Sequence, residues 1–388
     1  MKLNPGLIAL SVGAFGIGVT EFAPMGLLPI IAEDLGVSIP SAGLLISAYA
    51  LGVMIGAPLM TLTTGRIPRR TLLIGLAGIF TAGNLLAAIS DSYGMLMAAR
   101  ILTSFNHGAF FGVGSIVAAG LVPPQRQAGA VAAMFMGLTI ANVVGVPLAT
   151  WAGEHLGWRA SFWGIAGLGL MTMAALRATL PPLPAPQDAK VMTELRALGR
   201  GAVLGALALT VIASSAMFTV FTYIAPILRD ATQASPAFVT AMLFTYGVGL
   251  TLGNWIGGRF ADRSVDRTLI VTLASLSAVL VAFAVLMGHA AASVVLIFLW
   301  GIASFALVPP LQVRVMSAAS DAPNLASAVN IGAFNLGNAF GAALGGGVIA
   351  AGLGYPMIAL AGAATSLLGL LGVIIAAKRS AIQSVLAR

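Results

Sequence analysis

The sequence predicts an all-α membrane protein with twelve transmembrane helices, arranged as two pseudo-symmetric bundles of six. Three observations lead to this fold class: a scarcity of charged residues, twelve long apolar runs, and a repeat that relates the two halves of the chain. Of 388 residues, 59% are hydrophobic and 8% are Asp, Glu, Lys or Arg, whereas about 25% are charged in an average soluble domain. So few charges could not cover a soluble fold of this length, and lipid is therefore the expected solvent.

The apolar runs are about 20 residues long, which is the length that a helix needs to cross a bilayer core. A helix is the expected conformation because lipid cannot satisfy free backbone groups. The first six runs are Leu7–Ile31, Ser41–Leu62, Leu72–Ile89, Met95–Ala119, Val131–Trp151 and Trp158–Thr179. The second six are Ala202–Leu228, Phe238–Ile256, Leu269–Met287, Ser293–Val313, Ala326–Ala350 and Tyr355–Ala377. The first run is not expected to be a cleaved signal peptide, because it is long and carries Glu21.

The net charge of +8 is explained by membrane topology and does not indicate a nucleic-acid partner. If both termini are cytoplasmic, most Lys and Arg residues fall on the cytoplasmic side, which is the positive-inside distribution. The predicted location is therefore the cytoplasmic membrane of a bacterium, with lipid around the helices. The chain has no Cys, so disulfides and thiolate metal sites are excluded. It also has no phosphate-binding motif, so ATP is not the expected energy source.

The chain is predicted to divide into an N-terminal bundle at 1–180, a cytoplasmic linker at 181–200 and a C-terminal bundle at 201–388. The linker is Pro-rich and then mixed in charge. Six pairs of identical residues lie 197 positions apart. They are Pro29 and Pro226, Gly52 and Gly249, Gly56 and Gly253, Arg66 and Arg263, Arg70 and Arg267, and Gly157 and Gly354. Six helices per half bring both halves into the membrane in the same sense, which predicts a parallel repeat. Such a repeat resembles the architecture of major facilitator transporters, and the resemblance implies alternating access around a midplane site.

The predicted loop after the eighth helix, Gly258–Arg267, resembles the signature G-x-x-x-D-R-x-x-x-R of the major facilitator superfamily. In that family the acid and its Arg neighbours form a cytoplasmic charge network that stabilises one conformation. The residues that the resemblance implies in this latch are Arg66, Arg70, Asp262, Arg263 and Arg267. The first-half copy has Gly65 in place of the acid, so a latch in that half is in doubt. The alternative is that the arginines only set topology.

Other motifs resemble the arabinose-efflux-permease branch of the drug/proton antiporter family, over nearly the whole chain. They are Thr20-Glu21-Phe22, Pro24–Pro29, Asn106–Gly112, Gly145-Val146-Pro147 and Asn330–Asn338. The resemblance implies the major facilitator fold and proton-driven export of small molecules, with no cofactor beyond the proton as coupling ion. It also implies that Gly145 and Pro147 form the kink of the family's antiporter motif. Drug-like amphiphiles and sugars both remain possible substrates, and a monomer that is not an enzyme is expected.

Away from the ends of the predicted spans lie three ionisable residues, namely Glu21, Arg100 and His107. Such residues are costly in lipid and are functional candidates by default. At 1.5 Å per residue they lie roughly 15, 8 and 18 Å below the outer surface, in one depth band. Arg100 and His107 also belong to a mostly polar stripe on the fourth helix, with Thr103, Ser104 and Phe111. In the family, helices one, four, seven and ten line the central cavity, so the resemblance implies that Glu21 and this stripe face the same space.

Movement that alternately buries Glu21 and pairs it with a cation would load and release a proton, since burial favours the neutral acid and a nearby cation favours the carboxylate. A static ion pair between Glu21 and Arg100 is the alternative. His107 is either a proton relay or a neutral side chain bonded to Asn106 or Ser104. Candidates for the substrate cavity are Met25, Ser104, Asn106, Phe111, Thr222, Tyr223 and Trp300. Asn84, Asn142, Asn254, Asn330, Asn335 and Asn338 are expected to bond between helices.

Three functions remain possible: a proton-coupled exporter, an uptake symporter of the same fold, and a non-transporting receptor or scaffold. No loop is long enough to fold as a sensing domain, which disfavours the receptor. One intramembrane acid beside Arg100 predicts a neutral or singly charged solute. The few polar residues on the seventh and tenth helices favour a drug-like amphiphile over a sugar, because unpaired buried hydroxyls each cost about 1–3 kcal/mol.

Overall fold

The computed structural model describes residues 4–64, 66–123, 127–182, 198–320 and 323–386. Within these ranges the regular structure is helical, and twelve helices are long and apolar enough to cross a membrane. The predicted fold class is therefore confirmed. Each of the twelve predicted runs coincides with one of these helices.

The first six helices are α1 to α6. They span Pro5–Asp34 (α1), Ile39–Thr63 (α2), Arg69–Ala88 (α3), Tyr93–Gly120 (α4), Gln127–Leu156 (α5) and Trp158–Thr179 (α6). The second six are α7 to α12. They span Gly201–Asp230 (α7), Pro236–Ala261 (α8), Val265–Leu286 (α9), Ala290–Ala318 (α10), Pro323–Ala350 (α11) and Tyr355–Leu386 (α12). Most extend beyond the apolar run by a few residues.

Polar residues determine where several helices begin. The side chain of Asn4 accepts a hydrogen bond from the Gly6 amide at 2.9 Å, and Pro5 follows at the first helical position of α1. Ser264 in the same way accepts from the Arg267 amide at 3.3 Å and starts α9. These caps satisfy amide groups that have no partner within the first turn.

Two helices of the second half are broken, which the hydropathy pattern did not predict. α7 consists of Gly201–Phe221 and Ile224–Asp230, and α10 of Ala290–Phe305 and Val308–Ala318. In α7 the break lies four residues before Pro226, where the proline ring would contact the Thr222 carbonyl of a continuous helix. The equivalent Pro29 leaves α1 continuous, so the two halves differ at this point.

By internal packing the chain forms two compact units, Met1–Lys190 with Ser235–Phe244, and Val191–Ala234 with Thr245–Arg388. The predicted linker lies mostly outside the described residues, and the bundle boundaries stay a prediction. In the second unit α11 packs directly on the backbone of α7. A Cβ at Gly341 would lie 2.6 Å from the Ser215 carbonyl oxygen and 2.8 Å from the Thr219 amide nitrogen. Any side chain at this position would force the two helices apart.

Two of the predicted asparagines join helices. In the first unit Thr20 donates to Asn84 Oδ1 at 2.7 Å and so links α1 to α3. In the second unit Asn330 accepts from Thr210 at 2.8 Å and donates to Gln312 at 2.7 Å, and so connects α11 to α7 and α10.

The other asparagines do not follow this prediction. Asn142 and Asn335 donate to carbonyl oxygens of their own helices. Asn254 is exposed, and Asn338 Oδ1 has no hydrogen-bond partner among the described residues. An interhelical bond needs a polar partner at the same depth on the facing helix, and Asn330 meets such partners in Thr210 and Gln312.

Candidate functional site

The candidate site is built around the middle of α1, whose sequence is mostly apolar and whose middle segment is buried. All residues from Gly16 to Leu28 are buried, as expected of a helix at the centre of a bundle. Glu21 lies in this segment with 7% of its surface exposed. The helical packing therefore holds a carboxyl group in a place where ionisation is costly unless a partner is near.

A distortion of α5 lies beside this segment of α1. Residues Ala141–Gly145 form a π-helical turn that ends two residues before Pro147. A Cβ at Gly145 would lie 2.4 Å from the Cγ2 atom of Val19, two residues before Glu21. The predicted motif residues thus lie against α1 close to the acid, while their role in antiport stays a prediction.

Glu21 and His107 are brought together as predicted. His107 Nδ1 lies 4.0 Å from Glu21 Oε2, and 4% of the histidine is exposed. The same nitrogen lies 3.2 Å from the hydroxyl of Tyr49 on α2. The alternative in which His107 bonds to Asn106 or Ser104 is wrong, because Tyr49 is the partner and those two side chains bond to backbone carbonyls of α4.

Arg100 lies in the same cluster but does not form the alternative ion pair with Glu21. Its Nη1 donates to the Thr20 carbonyl at 2.7 Å, and its Cζ lies 4.2 Å from the centre of the Tyr49 ring. Glu21 and Arg100 have no ion-pair contact, although both are among the described residues. Arg100 Nε and Nη2 have no hydrogen-bond partner within the described ranges. We refer to Glu21, Tyr49, Arg100 and His107 as the buried polar cluster.

The rest of the α4 stripe divides between different neighbours. Phe111 extends the cluster, because its ring lies 5.3 Å from His107 and stacks on Phe135 at 5.0 Å between centroids. Thr103 faces α3, where a Cβ at Gly83 would meet its hydroxyl. A stripe of residues at this spacing covers an arc of about 100° of the helix surface, so it can contact two neighbouring helices.

Asn106 faces away from the cluster. Its side chain lines a small cleft within the first unit, together with residues of α1, α3 and α6 that include Ile17, Phe80 and Thr172. The Oδ1 atom has no partner among the described residues. Met25 is buried on α1 one turn beyond Glu21, with 1% exposed.

Trp300, the candidate on α10, forms the centre of an aromatic cluster. It contacts Phe221, Tyr246 and Phe283 with centroid distances of 6.0, 4.8 and 6.0 Å. Phe221 and Tyr246 also stack on each other at 4.4 Å. Sequence analysis did not identify Phe221 or Tyr246. The available signal was that α7, α8 and α10 each carry an aromatic residue.

The two α7 candidates differ in their contacts. Tyr223 links α7 to α11, because its hydroxyl donates to the Ala342 carbonyl at 2.7 Å. Thr222 Oγ1 and the indole nitrogen of Trp300 have no hydrogen-bond partner within the part of the chain that the structure describes. These two groups are therefore unpaired in the described structure, whereas the Tyr223 hydroxyl already donates its proton.

In and after the predicted signature loop, the charges pair differently from the family pattern. Asp262, Arg263 and Arg267 are exposed, and Asp262 forms no ion pair with another described residue. Instead Asp266, in the first turn of α9, pairs with Arg314 at the end of α10. Resemblance to the family signature identified Asp262 as the acid. The observed Asp266–Arg314 ion pair depends on how α9 packs against α10, which the signature does not specify.

The first-half arginines have other surroundings. Arg66 is exposed, and Arg70 donates to the Arg177 carbonyl at the end of α6. Gly65 lies outside the described residues. The latch role of all five predicted residues stays a prediction.

Comparison with known proteins identifies the family. The model of the Major Facilitator Superfamily matches residues 10–322. The Inner membrane transport protein YdhP of Escherichia coli (strain K12) is 56% identical over 379 residues, which cover 98% of this chain and 97% of that protein. The Probable sugar efflux transporter of Helicobacter pylori (strain G27) is 30% identical over 365 residues, or 94% of this chain and 93% of that protein.

A solved structure shows the same fold. The crystal structure of a D-xylose-proton symporter superposes with a TM-score of 0.79 over 95% of this chain and 96% of that chain, at 14% sequence identity. Twelve spanning helices and an inner-membrane relative make this a multi-pass inner-membrane protein and not an enzyme. The family inferred from the motifs is thus confirmed, and the chain belongs to the major facilitator superfamily of membrane transporters.

Proposed function

We propose that this transporter exports small molecules in exchange for protons, by alternating access, and that Glu21 is the group that binds the proton. One observation carries the proposal: a carboxyl group is enclosed in a helix bundle beside His107 and Arg100, without a full ion pair to either. A carboxylate in such a place is unstable relative to the neutral acid, because its charge is neither hydrated nor matched. Binding a proton removes that cost.

The release step depends on water or on a cation reaching Glu21. The free Nε and Nη2 donors of Arg100 provide hydrogen bonds that a carboxylate can accept. A shift of α1 relative to α4 that brought Glu21 to Arg100 would favour loss of the proton. The π-helical turn of α5 next to Val19 is a place where such a shift can be accommodated, since π turns interrupt regular helix packing.

For the substrate we propose a neutral or singly charged small solute, with drug-like amphiphiles favoured over sugars. Support comes from the aromatic cluster around Trp300, whose flat apolar faces suit such compounds, and from its few free polar groups. One relative is named a probable sugar efflux transporter, which favours a sugar as the substrate. Competition binding on purified protein separates the two: saturable arabinose binding that hydrophobic drugs do not displace would assign a sugar.

An uptake symporter of the same fold would use the same acid. Transport direction in vesicles with an imposed pH gradient separates the two, because exchange moves substrate against the proton flow and symport moves it with the flow. The orientation with both termini cytoplasmic belongs to this proposal as well and is supported by the positive-inside charge distribution. A monomer is proposed with it.

The decisive variant is Glu21→Gln, which keeps the size of the side chain but cannot bind or release a proton. Gradient-driven efflux from reconstituted vesicles should be abolished, while the protein still inserts and folds. Glu33→Gln is the matched control, because Glu33 lies on the same helix and is exposed. Wild-type transport by Glu21→Gln would remove this residue from the mechanism.

A further inference from the structure

We propose that Tyr49 is a positioning residue of the proton-binding site, whose hydroxyl orients His107 toward Glu21 and whose ring holds Arg100. The inference rests on the proposed function of Glu21, but the hydrogen bond at its centre can be tested without transport. No motif pointed to Tyr49, which lies within the apolar sequence of α2.

The geometry places Tyr49 between the two basic groups of the cluster. Its side chain is buried, with 2% of the residue exposed. The hydroxyl lies 3.2 Å from His107 Nδ1, while Glu21 Oε2 lies 4.0 Å from the same nitrogen. Only the first distance is within hydrogen-bond range. Tyr49, and not Glu21, therefore orients the imidazole ring in this state.

The hydrogen bond must change direction when a proton moves. With Nδ1 unprotonated, the Tyr49 hydroxyl donates to its lone pair, and the ring proton is on Nε2. When Glu21 transfers a proton, its O–H bond breaks and an Nδ1–H bond forms, which leaves a carboxylate and an imidazolium. The Tyr49 oxygen can then only accept, so the hydroxyl turns. The Tyr49 oxygen can therefore act as donor to the neutral ring and as acceptor to the protonated ring.

The ring of Tyr49 serves the second basic group. Arg100 Cζ lies 4.2 Å above it, a distance at which the aromatic face attracts a guanidinium. Arg100 in turn donates to the carbonyl of Thr20, the residue before Glu21. Tyr49 is thereby in contact with one basic group through its hydroxyl and with the other through its face.

Among the described helices that pack against α4, few charged or titratable groups lie near His107. They are Glu21 from α1, Tyr49 from α2 and Arg100 from α4 itself. The other helices against α4 carry their titratable groups at the ends, with Arg69 and Arg70 at the start of α3 and Glu154 and His155 at the outer end of α5. On the side of α5, Phe135 stacks on Phe111, and Phe111 contacts the His107 ring. The protonation state of His107 is therefore governed by this one cluster.

The test uses the full-length protein with ¹⁵N-labelled histidine, in lipid. The chain has three histidines, and the spectrum of His107→Gln assigns the signal of His107. In the wild type we expect neutral His107 to carry its proton on Nε2, with a bare Nδ1. Tyr49→Phe keeps the ring and removes the hydroxyl, and this preference should be lost. The control is Tyr93→Phe, which removes a hydroxyl bonded to the Ser41 carbonyl outside the cluster and should change nothing.

Transport gives the second readout. Tyr49→Phe should shift the pH at half-maximal efflux by about 0.4–1 pH unit, the size expected from one hydrogen bond, with substrate affinity unchanged. In a His107→Gln background the same substitution should cause no further shift.

A protonated Nδ1 in neutral wild-type His107, or an unchanged pattern in Tyr49→Phe, overturns the proposal whatever transport does. A changed pattern with an unchanged pH profile also overturns it, because Tyr49 would then orient the ring without a part in transport. If Glu21→Gln transports normally, the proton mechanism fails while the histidine spectra still decide on the hydrogen bond.

Discussion

Replacing Asn330 by Leu should destabilise the second unit more than the same replacement five residues further along α11. Asn330 is fully buried and forms two interhelical hydrogen bonds, accepting from Thr210 at 2.8 Å and donating to Gln312 at 2.7 Å. Gln312 donates onward to Ser327 at 2.6 Å. The bonds hold the second segment of α10 and the start of α7 against α11.

The magnitude follows from the groups left behind. Each interhelical bond contributes about 0.6–1.7 kcal/mol in a membrane. Thr210 keeps a second acceptor, the Ala206 carbonyl at 3.3 Å, but Gln312 Oε1 loses its partner, which costs about 1–3 kcal/mol. Since Leu refills most of the volume, we expect a loss of about 2–4 kcal/mol in unfolding free energy, or roughly 30- to 700-fold in the folding equilibrium constant.

The assay is equilibrium unfolding in bicelles, followed by tryptophan fluorescence. Asn335→Leu is the matched control, because Asn335 is also buried but bonds only to the Ile331 carbonyl of its own helix and leaves Oδ1 unpaired. It should stay within about 1 kcal/mol of wild type. A loss below about 0.5 kcal/mol for Asn330→Leu, or equal losses for both variants, would refute the reasoning.

Three further predictions concern other parts of the molecule. If Asp262 is the latch, Asp262→Asn should shift spin-label distances between the cytoplasmic ends of the two halves. If the Asp266–Arg314 pair is the latch instead, Asp266→Asn should shift these distances. Unshifted distances in both variants would mean that these charges only set topology. His107→Gln should alter the pH profile of efflux more than substrate affinity, and the reverse result would favour a binding role. Gly341→Leu should lower the thermal unfolding midpoint, because its Cβ would meet the α7 backbone, whereas Gly347→Leu, which faces open space, should not; equal midpoints would contradict the close packing.

The spans and the intramembrane ionisable residues could be predicted because they depend on local composition. A run of about 20 apolar residues can only be a helix in lipid, whatever it packs against. Placing Glu21 and His107 together needed only their depths and the family's helix arrangement. The assignment of most arginines to the cytoplasmic side came from charge counting along the chain and stays a prediction.

The contacts of these residues could not be predicted in the same way. Asn106 and His107 are adjacent in the sequence, yet about 100° of helix rotation separates them, and they face different neighbours. Tyr49 was not found because an aromatic residue in an apolar run is readily explained by packing alone. Its buried hydroxyl needed a partner, which was a sign that sequence analysis could have used.

By itself, then, the sequence determined the lipid solvent, the number and place of the helices and the scarcity of buried charge, since these depend on the residues one at a time. Only the tertiary structure decided that His107 bonds to Tyr49, that Arg100 donates to Thr20 and not to Glu21, and that Asp266 pairs with Arg314. A polar side chain in a membrane bonds to whatever group the facing helix presents at its depth. That partner depends on helix rotation and crossing, which are set by the packing of many apolar residues together.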